Sequence, residues 1–168
     1  MIIFLMASFS FLISQGNGKL APTFYLTELN GDDFFASRVY GEKATEPSVV
    51  VLSFFATWCI PCRAEAPQLE ILSQEFPDIK FYLVSVKDPT DKILSWLNQF
   101  EIELPVLVDK YGRTAEKFEV IGNDTNKTAG KTLPTLFVIN KSGRIIYEHS
   151  GYEKGDEKTL KKVLETLN

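Results

Sequence analysis

Residues 49–62 read Val-Val-Val-Leu-Ser-Phe-Phe-Ala-Thr-Trp-Cys-Ile-Pro-Cys. The first eight form an unbroken β-branched and aromatic run, which reads as a strand buried on both faces, the kind found inside parallel sheets. Past the second cysteine the period changes. Ala66, Leu69, Leu72 and Phe76 recur at helical spacing, predicting a helix from Cys62 to about residue 76. The decisive feature is therefore a strand that turns directly into a helix, with two cysteines spaced C-x-x-C at the junction.

On both sides of this junction, strand-like and helix-like segments alternate. Residues 24–27 and 34–35 flank Asn30-Gly31, a hairpin turn signal. Residues 81–86 and 106–108 read as strands, 91–100 as a helix capped by Thr90, and 114–118 as a short helix. Residues 135–140 and 144–148 form a hairpin around Ser142-Gly143, and 156–167 a final amphipathic helix. Strand–helix alternation builds parallel strands through right-handed crossovers, and the terminal hairpin adds an antiparallel edge. The expectation is an α/β fold: a mixed central β-sheet flanked by helices, with an N-terminal β-hairpin extension. Trp96, in helical register with Ile93 and Phe100, is expected in the core.

The chain has 168 residues with a net charge of −4, a length that suits one domain with a full core. It carries no basic cluster, so nucleic acid is not an expected partner. Residues 2–13 are apolar over the length of a signal-peptide core and too short to span a bilayer. Ser14-Gln15-Gly16 offers small residues for cleavage, although no Lys or Arg precedes Lys19. Residues 1–18 are accordingly expected to be a signal peptide or membrane-targeting segment, and 19–168 the folded domain. The run contains no cysteine, so lipidation there is not expected. Residues 122–131 form a polar loop or insertion. Its Asn123 and Asn126 sequons matter only in a source that glycosylates.

Cys59 and Cys62 are the only cysteines. A structural disulfide framework needs more of them at wider spacing, and so short a loop removes little unfolded-state entropy. Three residues apart on a helical turn, the two share one face and can close a disulfide. A helix N-terminus offers free N–H groups and partial positive charge, both of which favour a thiolate. An ordinary thiol is only a few per cent ionised at neutral pH, and lowering its pKa towards about 7 makes it reactive. Pro61 suits a first-turn position, where its missing N–H is harmless. Zinc would need two further ligands, and His149 is the only histidine. Haem attachment would need His at position 63, which is Arg.

Phe55-Ala56-Thr57-Trp58-Cys59-Ile60-Pro61-Cys62-Arg63-Ala64-Glu65, taken with Leu133-Pro134-Thr135 downstream, resembles the active-site signature of the thioredoxin superfamily. More narrowly, it resembles the exported ResA- and TlpA-like thiol–disulfide oxidoreductases, from about Leu20 to the C-terminus. The resemblance implies a thioredoxin fold and a Cys59–Cys62 dithiol/disulfide that exchanges with protein disulfides and needs no other cofactor. It implies an exposed attacking Cys59, a buried resolving Cys62 and a cis-Pro134 facing the disulfide. It further implies that the backbone of Leu133 binds a substrate strand, that Trp58 flanks the site and that Pro67 kinks the helix. A dithiol donor in the membrane or cytoplasm, a cell-envelope location and substrates such as apocytochrome cysteines come with it. A monomer is expected.

Glu65 lies three residues after Cys62 on the same face, where a carboxylate raises thiol pKa and relays protons. The alternative is a solvated first-turn Glu favoured by the helix dipole. Thioredoxin itself has a buried aspartate six residues before the first cysteine; this chain has Ser53, so Glu65 is a candidate for that role. Peroxiredoxins share the fold, but their Pro-x-x-x-Thr-x-x-Cys pattern needs Pro at 52 and Thr or Ser at 56, where this chain has Leu52 and Ala56. A non-catalytic binding module using the surface around Trp58 and Pro134 would not need both cysteines intact.

Overall fold

The computed structural model describes residues 18–122 and 130–167. Residues 1–17, both sequons and most of the 122–131 loop lie outside that range. A single seven-stranded sheet runs in the order β2-β1-β5-β4-β3-β6-β7. Its parallel centre is β3 (Val50–Phe55), β4 (Lys80–Val86) and β5 (Val106–Asp109). Two helices connect these strands: α2 (Cys62–Glu75) leads from β3 to β4, and α3 (Thr90–Phe100) from β4 to β5. On one flank β6 (Thr135–Ile139) pairs antiparallel with β3, and β7 (Ile145–Ser150) closes the edge. On the other flank the hairpin of β1 (Tyr25–Glu28) and β2 (Asp33–Phe35) joins β5 through β1. Gly31 turns that hairpin at φ +98°, a backbone region that glycine enters without steric cost.

β3 explains why the sheet needs covering on both sides, because every one of its residues is buried. Alternation sends Val51 and Phe55 to one face, against α2, α3 and α5 (Asp156–Glu165). Val50, Leu52 and Phe54 go to the other face, against α1 (Ala36–Val39), the end of α4 (Arg113–Lys117) at Phe118 and the segment before β1. Ser53 shares the α2 face and is the one polar residue on β3. The expected core position of Trp96 holds: it is buried, with its ring 4.7 Å from that of Phe55.

Three details differ from the sequence expectation. α1 is a single extra turn. Thr90 is the first helical residue of α3 rather than its cap, since Pro89 precedes it in an extended conformation. Pro61 sits one position before α2, already at helical angles (φ −61°, ψ −29°), and its carbonyl accepts the Ala64 and Glu65 N–H groups.

Candidate active site

The site lies where β3 leaves the sheet. Cys59 and Cys62 are joined as a disulfide, their Cα atoms 5.4 Å apart. The Cys62 N–H, at the start of α2, points at Cys59 Sγ across 3.3 Å. A donor aimed at that sulfur favours a negative charge on it, as the helix N-terminus does. Pro67 lies inside α2, where it supplies no N–H to the Arg63 carbonyl, and the helix continues through it to Glu75.

Cys59 is not exposed as expected. It is 3% accessible and Cys62 1%. The disulfide draws Cys59 Sγ against the Cys62 N–H and into the core beneath α2. The exposed part of this corner is made by its neighbours, Trp58 at 70% and Ile60 at 73%.

Pro134 follows a cis peptide bond from Leu133. The next residue, Thr135, pairs with Phe54, so the cis-proline stands at the end of β3 that runs into the cysteine loop. Two bonds hold the segment: the Gly151 N–H, just past β7, donates to the Pro134 carbonyl (2.7 Å), and Thr135 Oγ1 donates to the Thr132 carbonyl (3.0 Å). Leu133 is half-buried and packs where the two cores meet.

Glu65 is buried, unlike a solvated first-turn glutamate. From α2 its carboxylate reaches the polar break in β3, where Ser53 Oγ donates to Oε2 at 2.5 Å. Burial pushes its pKa up to about 7, with the Asp156 charge adding to the rise and the Ser53 hydrogen bond opposing it. A carboxyl at that value is poised to take or give a proton near neutrality. Its position three residues after Cys62 puts both on one helical face.

One contributor escaped the sequence reading. Asp88, buried just beyond β4, accepts from the Thr57 N–H (2.8 Å), Thr57 Oγ1 (2.9 Å) and Ser85 Oγ (3.2 Å). It anchors the start of the Thr57–Trp58–Cys59 loop to the neighbouring strand end. The only sequence trace of it is an Asp that ends a buried strand.

Comparison with known proteins agrees with this geometry. Residues 17–148 match the AhpC/TSA family. The thiol-disulfide oxidoreductase ResA of Bacillus thuringiensis subsp. konkukian is 30% identical over 150 residues, covering 87% of this chain and 78% of that protein. The chain belongs to the AhpC/TSA family. Within it, the resemblance runs to thiol–disulfide oxidoreductases. A DsbE homolog of Paracoccus denitrificans, a thiol:disulfide interchange protein, is 35% identical over 111 residues, 66% of this chain and 55% of that one. A Chlorobium tepidum chain solved as a candidate DsbE superposes with a TM-score of 0.74 at 27% identity, covering 90% of this chain and 97% of that one. The fold is thus thioredoxin-like, and the chain is a thiol–disulfide oxidoreductase that carries a Cys59–Cys62 disulfide at its strand–helix junction. Leu52 and Ala56, where the peroxidatic pattern needs Pro and Thr or Ser, are fully buried apolar residues.

Proposed function

We propose that the chain is a reductase of protein disulfides in the cell envelope, with Cys59 as attacking thiolate and Cys62 as resolving thiol. Cys59 Sγ attacks a substrate disulfide and forms a mixed disulfide, releasing one substrate sulfur as thiolate. Cys62 gives its proton to Glu65 and attacks Cys59 Sγ, which releases the second substrate sulfur. Trp58 and Ile60 flank the incoming chain, and the Leu133–Pro134 backbone lies alongside it. Pro61 sets the start of the helix that places Cys62. A dithiol donor in the membrane or cytoplasm then reduces the disulfide again.

The observation that carries this reading is the disulfide at the strand–helix junction, with the Cys62 N–H on Cys59 Sγ. The envelope location rests on the apolar 2–13 run. Among the described residues no helix is long and apolar enough to cross a membrane. Apocytochrome cysteines are the substrate class proposed from the resemblance to ResA-like enzymes.

Trapping tests the assignment. Cys62→Ser is expected to accumulate mixed disulfides with substrate through Cys59, and Cys59→Ser to abolish insulin-disulfide reduction. Reduction surviving in Cys59→Ser would overturn it.

A further inference from the structure

Glu65 borders a cavity of about 20 Å³ whose lining includes Tyr147, His149, Tyr152, Asp156 and Glu157. That volume is the size of one water molecule, and Leu69, Leu136 and Leu160 complete its wall. Among the same lining residues His149 Nε2 and Asp156 Oδ2 stand 2.9 Å apart, with side chains 34% and 30% exposed. The cavity therefore links a carboxyl buried under α2 to a pair that touches solvent.

Every polar group that faces Glu65 can be assigned a capacity. Ser53, from β3, holds Oε2 but is itself fully buried and leads nowhere outward. Tyr147, from β7, and Tyr152, from the turn before α5, have pKa values raised by burial, so both phenols stay protonated. Glu157, in the first turn of α5, accepts the Tyr152 hydroxyl at 2.8 Å, which holds it below the usual carboxylate range and ionised. Gln68, from α2, does not titrate. His149, on β7, remains. Imidazole takes a proton on one ring nitrogen and releases one from the other, and it is the side chain suited to doing so near neutral pH. Asp156, from α5, holds that ring through Nε2.

We propose that His149, oriented by Asp156, is the solvent-side relay through which Glu65 loses and regains the proton of the exchange reaction. This rests on the reading of Glu65 as proton acceptor for Cys62. In the oxidative half-reaction the two cysteine sulfurs give two electrons to the substrate disulfide. The substrate S–S bond breaks and the Cys59–Cys62 bond forms. The Cys59 proton is already in solvent at the thiolate stage. The Cys62 proton passes to Glu65, across the cavity to His149, and out. The two released substrate thiolates take their protons from solvent. Reduction by a dithiol donor runs the path inward.

The single histidine makes the test clean. The full chain, reduced, is mixed with excess oxidised glutathione, and the resolution of the Cys59 mixed disulfide is followed by rapid mixing from acid to neutral pH. His149→Gln is expected to slow resolution on the order of 10-fold, and added imidazole to restore it, because the position is open to solvent. Glu65→Gln is expected to be slow with or without imidazole. A wild-type rate in His149→Gln with a slow Glu65→Gln overturns the relay and leaves Glu65 standing. Wild-type rates in both overturn the Glu65 reading and the relay with it. A slow His149→Gln that ignores imidazole assigns His149 a packing role and also overturns the relay.

Discussion

Ser53 Oγ donates to Glu65 Oε2 across 2.5 Å, joining the one polar position of β3 to the first turn of α2. Both groups are buried. The carboxyl is held between α2 and β3, on the helical face it shares with Cys62, at a cost in desolvation that the hydrogen bond only partly offsets. The result is a raised proton affinity, with consequences for stability as well as for exchange.

A buried carboxyl whose pKa rises from 4.5 to about 7 on folding binds more protons in the native state than in the unfolded one between those values. Stability therefore falls as pH rises through this window and levels off above it. The displacement corresponds to roughly 3 kcal/mol. Urea unfolding of the oxidised chain, in which the cysteines do not titrate, is expected to show Glu65→Gln gaining about that much on wild type between pH 5 and pH 8. A pH-independent difference between the two chains would mean that Glu65 is already ionised at pH 5.

Thiol ionisation in the reduced chain provides an independent check. A carboxylate beside Cys62 opposes formation of a second negative charge there. Thiolate absorbance is expected to place the higher of the two cysteine titrations about one pH unit lower in Glu65→Gln than in wild type. Ser53→Ala removes the donor that favours the ionised carboxylate. It is expected to move Glu65 further up, and the loss of stability with pH to a higher range.

Which of these features could be read beforehand depends on how local they are. The strand–helix order was legible because β3, α2 and the later elements carry dense apolar runs or clear helical spacing. α1 was not, since four residues directly after a strand are too few to show a period. The place of Glu65 on the cysteine face follows from i, i+3 spacing, but its burial depends on Ser53, twelve positions earlier, being the polar gap beneath it. Asp88 was missed because its partner Thr57 lies 31 positions away on a neighbouring strand's exit. The closeness of His149 to Asp156 depends on how α5 lies over β7, and no sequence pattern reports that.

Asp88 gives a prediction of its own. Its carboxylate satisfies the Thr57 backbone donor and two hydroxyls at a buried site, and removing it leaves donors without an acceptor. Asp88→Ala is expected to cost about 2–3 kcal/mol in chemical denaturation and to slow disulfide exchange by loosening the residues before Cys59. Thr57→Val loses only the Oγ1 bond while the backbone N–H bond remains, so its cost is expected nearer 1 kcal/mol.

Trp58 separates substrate binding from both stability and chemistry. Its ring is mostly in solvent beside a buried disulfide, so truncation removes little packing, and Trp58→Ala is expected to change unfolding free energy by no more than about 0.5 kcal/mol. A large exposed aromatic beside a reactive centre is the kind of group on which a protein partner anchors. The same variant is therefore expected to raise KM for a protein disulfide several-fold, with kcat and the rate towards a small disulfide unchanged. Ile60→Ala should act in the same direction. A polypeptide disulfide brings its flanking chain across these two exposed side chains when it reaches Cys59, whereas a small disulfide has no such chain. Equal losses with both kinds of substrate would instead place Trp58 in support of the cysteine loop itself.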